Sequence, residues 1–160
     1  MSDALLRPGL AGEAGLLSDL AIRSKGHWGY DADFLDACRG ELTLTPVRAA
    51  EAVVAVVDDV VVGFHLLEPA HPDESADRAA AGRLEMLFVG PDTIGSGVGR
   101  LLYDDAVQRA RSRGWRSMAL DADPGAESFY LRMGARRIGE VPSGSIPGRV
   151  LPVLDIDVCK

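Results

Sequence analysis

Three glycines at alternate positions, Gly95, Gly97 and Gly99, followed at once by Arg100, are the residues whose spacing points most directly to chemistry. They lie in LEMLFVGPDTIGSGVGRLL (84–102), where an apolar run ends, a short turn follows and a helical pattern begins. Alternate glycines carry no Cβ atoms, so successive backbone N–H groups can converge on one concavity. The helix that follows adds its own unpaired N–H groups and the positive end of its dipole. Such a loop suits phosphate or pyrophosphate, and Arg100 adds a formal charge. The candidate anion-binding residues are therefore Ile94, Gly95, Ser96, Gly97, Val98, Gly99 and Arg100. The competing reading is a tight turn with no ligand. A Walker-type loop is excluded because no Gly-Lys-Ser/Thr follows, and the spacing is not the Gly-x-Gly-x-x-Gly of a dinucleotide fold.

Two acids stand out beside this loop. Glu85 interrupts the apolar strand of Leu84, Met86, Leu87 and Phe88. A carboxylate there needs a partner or a role, because burial penalises its ionised form. It is either a proton acceptor or one half of a salt bridge with Arg83 or Arg116. Asp121, at the end of the next expected strand, is its rival, and Asp123 is close enough in sequence for the two aspartates to share a proton. His65 and His71 lack partners at ligand spacing, so no metal is expected. Cys38 and Cys159 are too few for a disulfide framework and read as free thiols in a reducing compartment.

The elements that must position these groups follow from periodicity. Leu5–Arg7 reads as a short strand, 10–25 as a helix and Ala32–Cys38 as a second helix capped by Asp31. EAVVAVV and VVVGFHLL around Asp58–Asp59 form a hairpin. Residues 69–82 are a polar connection, and Arg83–Val89 is a strand closed by Gly90–Pro91. A helix runs from Gly97 or Val98 to about Arg113, ended by Gly114. Trp115–Leu120 is a strand, 124–133 a short helix, and Ala135–Val141 and Val150–Val158 the last two strands. The expected class is one α/β (α+β) domain over residues 1–160, around a mostly antiparallel sheet.

The chain has 160 residues, 47% of them hydrophobic, and a formal net charge of −7. That is enough chain for one domain with its own core. The acidic balance argues against a nucleic-acid partner. The distribution is uneven, however. Residues 1–99 carry 7 basic and 16 acidic side chains, against 10 and 8 in residues 100–160. No apolar run is long enough to span a bilayer. The opening residues MSDALLRPG lack a basic stretch followed by an apolar one, so a cytoplasmic protein without membrane partners is the expectation.

Two segments together resemble the GNAT acetyltransferase superfamily. Ile94-Gly95-Ser96-Gly97-Val98-Gly99 is similar to that family's Q/R-x-x-G-x-G/A loop, with Ile94 in place of Gln or Arg. The stretch from Asp123 through Ala126, Phe129, Tyr130 and Gly134 to Ala135 is similar to its N-x-x-A-x-x-F-Y-x-x-x-G-F segment. There, Asp123 replaces Asn and Ala135 replaces Phe. The resemblance implies a mixed, mostly antiparallel sheet of about six to seven strands flanked by about four helices, splayed around the cofactor. It also implies acetyl-CoA as donor and a primary amine of a small molecule as acceptor, by direct transfer in a ternary complex. The loop, Asp123 and Ala126 would hold CoA, and Leu87, Phe88 and Val89 would pair with its pantetheine arm through the backbone. Tyr130 would be the general acid at the sulfur, and Glu85 or Asp121 the base. One wall of the acceptor site would contain His27, Trp28 and Tyr30, and another Ser143, Ser145 and Arg149. For each wall an ordinary loop is the competing reading. Pairing into a homodimer through terminal strands is a further expectation of the family. A non-catalytic CoA- or acyl-CoA-binding sensor, and an enzyme acetylating protein N-termini or lysines, remain open.

Overall fold

The computed structural model of the chain describes residues 3–70 and 81–159. Residues 71–80, with His71 and most of the expected polar connection, lie outside the described residues. Ala81 and Gly82, expected in that connection, belong to a strand. Seven strands are hydrogen-bonded in the order β1-β2-β3-β4-β5-β7-β6 among the described residues. They are β1 (Leu5–Pro8), β2 (Val53–Val57), β3 (Val60–Pro69), β4 (Ala81–Val89), β5 (Ser117–Asp121), β6 (Arg136–Pro142) and β7 (Val150–Asp157). The helices are α1 (Ala14–Gly26), α2 (Ala32–Cys38), α3 (Pro46–Glu51), α4 (Val98–Ser112) and α5 (Glu127–Arg132). Five α-helices are therefore found among the described residues, in keeping with the expectation of about four. The additional one, α3, starts with Thr45 accepting a hydrogen bond from the Arg48 N–H and with Pro46 in its first turn. The chain clusters into two compact units.

The first unit takes in Met1–Leu66, Met86–Tyr103 and Gly144–Ile146. Here β1 and β2 are antiparallel, and β2 turns into β3 through Asp58 and Asp59, both with positive φ. Two left-handed residues give the hairpin turn whose twist matches its strands. Leu17, Leu20 and Ala21 of α1 pack with Val54, Phe64, Leu66 and Met86 in one fully buried cluster. Ala55, Val89, Val98 and Leu102 form a second. Between the strands and α4 the approach is close at Gly63: a Cβ there would stand 2.9 Å from the Phe88 carbonyl oxygen and 2.9 Å from Leu102. The bare glycine is what lets the first turns of α4 settle onto β3.

The second unit takes in Leu67–Glu85, Asp104–Ser143 and Pro147–Lys160. In it β5 pairs antiparallel with β7 along its whole length, Ser117↔Asp157 to Asp121↔Val153. Pro152, Leu154 and Ile156 of β7 are buried at alternate positions, the signature of a strand with one covered face. β6 closes the order at the edge and is exposed along most of its length. Arg111 on α4 donates two hydrogen bonds to the Val158 carbonyl, at 2.9 and 3.1 Å.

The parallel pairing of β4 with β5 is short. It runs Ala81↔Ser117, Gly82↔Met118 and Arg83↔Ala119, and stops. Glu85 and Asp121 are therefore each two residues beyond the last rung.

Candidate active site

In the first unit, β4 ends in the loop that the glycine spacing singled out. The Gly90 N–H donates to the Val62 carbonyl at 2.7 Å, which ties the strand end to β3. A turn over Pro91–Thr93 follows, held by the Thr93 hydroxyl donating to the Gly90 carbonyl at 2.9 Å. The Ser96 hydroxyl bonds in turn to the Thr93 carbonyl. Gly95 and Gly97 have φ of +87° and +94°, and open space surrounds the position of a Cβ on either. Such backbone suits glycine and strains any residue with a side chain. Gly99 already belongs to α4, and the Leu101 N–H is the donor that closes its first turn onto Gly97. Among the candidates Ile94, Gly95, Ser96, Gly97 and Arg100 are exposed, while Val98 is buried as the foot of the helix. Leu87 and Phe88 are half-buried and pack against the two different clusters, as neighbours on a strand must.

The expected acceptor residues divide. His27 and Trp28, exposed after α1, contact each other edge-to-face at 4.9 Å. Tyr30 instead stacks on Phe34 of α2 at 4.0 Å, with Lys25 Nζ 5.8 Å from its ring centre. Tyr30 thus anchors its loop. Phe34, Phe88 and Ile146 all pack against the same buried cluster.

In the second unit Arg83 joins the two candidate acids. Its Nη2 lies 3.1 Å from Asp121 Oδ2, and its Nε lies 3.6 Å from Glu85 Oε2. The side chains of Arg83, Glu85 and Asp121 are 10%, 30% and 36% exposed. Asp123 meets a different arginine. Its Oδ1 accepts the Gly125 N–H at 2.8 Å, and Arg149 Nη2 donates to its Oδ2 at 3.4 Å. Asp121 and Asp123 thus each meet a different arginine. The loop carrying Ser143 and Arg149 is closed at its base by the Ser143 N–H donating to the Arg149 carbonyl at 2.7 Å. Ala126 precedes α5, and Tyr130 is buried on that helix with Phe129 edge-on at 5.1 Å.

Arg83 is the residue that sequence reasoning undervalued, since it entered only as one salt-bridge partner for Glu85. The signal was present. Residues two apart on a strand share a face, so Arg83 and Glu85 had to point the same way. The Asp123–Arg149 contact had no such signal, because 26 residues separate its ends.

The family description "Acetyltransferase (GNAT) family" matches residues 21–135, more than half of the chain. A mycothiol acetyltransferase from Rhodococcus jostii (strain RHA1) is 32% identical over 102 residues, 62% of this chain and 33% of that protein. The chain therefore matches only about a third of that relative's length. Among solved structures, a GCN5-related N-acetyltransferase from Rhodopseudomonas palustris is similar at a TM-score of 0.75 and 23% identity, over 98% of this chain and 97% of the other. The PaiA N-acetyltransferase from Thermoplasma acidophilum, solved in complex with coenzyme A, has a TM-score of 0.73 at 16% identity, over 97% and 99%. At these identities the two structures establish a shared fold.

Proposed function

The chain belongs to the acetyltransferase (GNAT) family, and from that membership we propose that it is an acetyl-CoA-dependent N-acetyltransferase acting on a primary amine of a small molecule. The observation that carries the reading is the loop before α4. Gly95 and Gly97 are both left-handed, with open space where side chains would stand, and lead straight into a helix N-terminus. That is a fit for a pyrophosphate held by backbone N–H groups. Ile94, where the family pattern has Gln or Arg, contributes no polar side chain, so the burden falls on the backbone of 95–99 and on Arg100.

Acetyl-CoA would supply a thioester acyl group that an amine can attack, with a thiolate as leaving group. The chain's own residues then have three tasks. A carboxylate must take the proton that the amine loses, and Glu85 is the proposed acceptor, through water, with Asp121 as its rival. A backbone N–H of Leu87–Val89 would donate to the carbonyl oxygen as it gains charge. The Tyr130 hydroxyl would give its proton to the departing sulfur. The balance is complete: an N–C bond forms, a C–S bond breaks, one proton leaves nitrogen and one arrives at sulfur.

His27 and Trp28 are proposed acceptor contacts, and so, separately, are Ser143, Ser145 and Arg149. The contact of Arg149 with Asp123 makes it a support for its own loop as well. Among the described residues no helix is long and apolar enough to cross a membrane. Neither Cys38, buried, nor Cys159, exposed, is in a disulfide, in keeping with the reducing cytoplasm proposed as the place of the reaction.

Initial-rate kinetics test the direct transfer. Varying acetyl-CoA at several fixed concentrations of an accepted amine should give intersecting double-reciprocal lines. Parallel lines would mean that an acetylated enzyme intervenes, and would overturn the ternary complex.

A further inference from the structure

Resting on that reading, we propose that Asp123 is a positioning residue for the reaction: its two carboxylate oxygens tie the turn that leads to Tyr130 to Arg149, one of the proposed acceptor contacts. All of these groups belong to the second unit.

The placement follows from the sheet. β5 pairs with β7 down to Asp121↔Val153. One residue later the Ala122 N–H donates to the Pro152 carbonyl at 2.9 Å. A step beyond that, side chains make the tie: Arg149 Nη2 donates to Asp123 Oδ2 at 3.4 Å. The distance is long for a hydrogen bond. The side chains are only 16% and 12% exposed, however, and opposite charges so withdrawn from water still attract at that range. Asp123 thus extends the β5–β7 connection past the last backbone bond.

Its other oxygen has a different task. Asp123 Oδ1 accepts the Gly125 N–H at 2.8 Å, and the Asp123 carbonyl accepts the Ala126 N–H at 2.8 Å. These bonds shape the turn over Pro124–Ala126, from which α5 and Tyr130 follow directly. On the arginine side, Gly148 takes a φ of +80° immediately before Arg149. The Arg149 carbonyl accepts the Ser143 N–H at 2.7 Å. The residue that meets Asp123 therefore also closes the base of the β6–β7 connection.

A carboxylate can serve both sides because each of its oxygens is an acceptor. Asparagine, the residue of the family pattern at this position, has one acceptor only. With its oxygen on the Gly125 N–H, it would turn its NH2 group toward the guanidinium, donor against donor. Arg149 is thus a physical reason for aspartate here. With that tie gone, Arg149 has lost a charged support, and the amine should be held less well at an otherwise intact reaction centre.

Substitutions that separate the two oxygens test this. In amide hydrogen exchange followed by NMR, Asp123→Asn should speed exchange at Ser143 several-fold and leave Gly125 protected. Asp123→Ala should speed both. In urea unfolding, Asp123→Asn should cost much less in an Arg149→Met background than in the wild type. Additive costs would overturn the tie.

In turnover, Asp123→Asn should raise KM for the amine roughly tenfold, with smaller changes in kcat and in KM for acetyl-CoA. Adding Arg149→Met should raise it little further. Should Asp123→Asn fail to fold, Arg149→Lys and Arg149→Met take its place. Lysine, which keeps the charge, should recover part of the amine KM that methionine loses, and should do so only while Asp123 is not Ala. A kcat loss with KM for the amine unmoved would contradict the proposal. A wild-type protein that transfers acetyl to no amine would remove the enzymatic reading and the positioning role with it. An active protein with additive substitutions would remove the role of Asp123 alone.

Discussion

Tyr130 carries the most exposed claim of any single residue. It is buried at 6% exposure on α5, so its ring must be kept for packing while its hydroxyl is removed. Tyr130→Phe does this. The substitution should lower kcat by about 10²–10⁴-fold, the usual worth of a general acid, while calorimetry finds acetyl-CoA affinity essentially unchanged. Unchanged turnover at saturation would take the hydroxyl out of the chemistry. Glu13 gives a prediction of a different kind. Arg7 donates to both of its carboxylate oxygens at 2.9 Å, and the Leu10 N–H donates to one of them at 3.0 Å. The hydrogen bond with Arg7 is the main cause holding the Glu13 carboxyl below its ordinary range. A group lowered on folding contributes stability above its unfolded value of about 4.3 and loses it as pH falls through the folded value. Wild type should therefore exceed Glu13→Gln in urea midpoint by a constant margin at neutral pH, and the margin should shrink below about pH 4. A margin that is the same at about pH 3 as at neutral pH would contradict the pairing.

At the level of elements, the glycine loop and α4 can be separated from the helix's far end. Gly97, before α4, and Gly114, after it, both have positive φ, +94° and +82°, and open space at the Cβ position. Alanine at either should cost about 1–2 kcal/mol of stability through the backbone alone. Only Gly97→Ala should also weaken CoA binding, measured by calorimetry. Equal losses of affinity in both variants would mean that the loop has no special part. The same contrast explains what was readable in the sequence. Strands with one covered face, such as β7, and a hairpin turning on Asp58–Asp59 show in alternation and β propensity. α3 escaped notice because six residues are too few for a helical period, although Thr45–Pro46 is a proper helix start. The boundary of β4 was misjudged because Ala81 and Gly82 look like loop residues and are made strand by their pairing with Ser117 and Met118. Pairing of that sort is a tertiary property, so local composition carries no trace of it. The Arg83 contacts were partly legible for the same reason: Glu85 shares its strand, while Asp121 is brought to it only by the sheet.

For the whole molecule, charge is the lesson that changed most. Residues 100–160 carry a small basic surplus, 10 side chains against 8 acidic ones. Yet Arg109 pairs with Asp105, Arg111 with the Val158 carbonyl, Arg137 with Glu127 and Glu140, and Arg149 with Asp123. Much of that surplus is tied up in structure. A polyanionic ligand would therefore depend more on backbone N–H groups before α4 than on net charge. Fold and family leave many acceptors open, because neither determines which amine is bound. The direct measurement is transfer of an isotopically labelled acetyl group from acetyl-CoA to a panel of small primary amines, followed by mass spectrometry. The account predicts label on the nitrogen of at least one amine, one free thiol released per label transferred, and loss of both in Tyr130→Phe. Binding of CoA with no label on any amine would contradict it, and would leave a protein that holds the donor without using it.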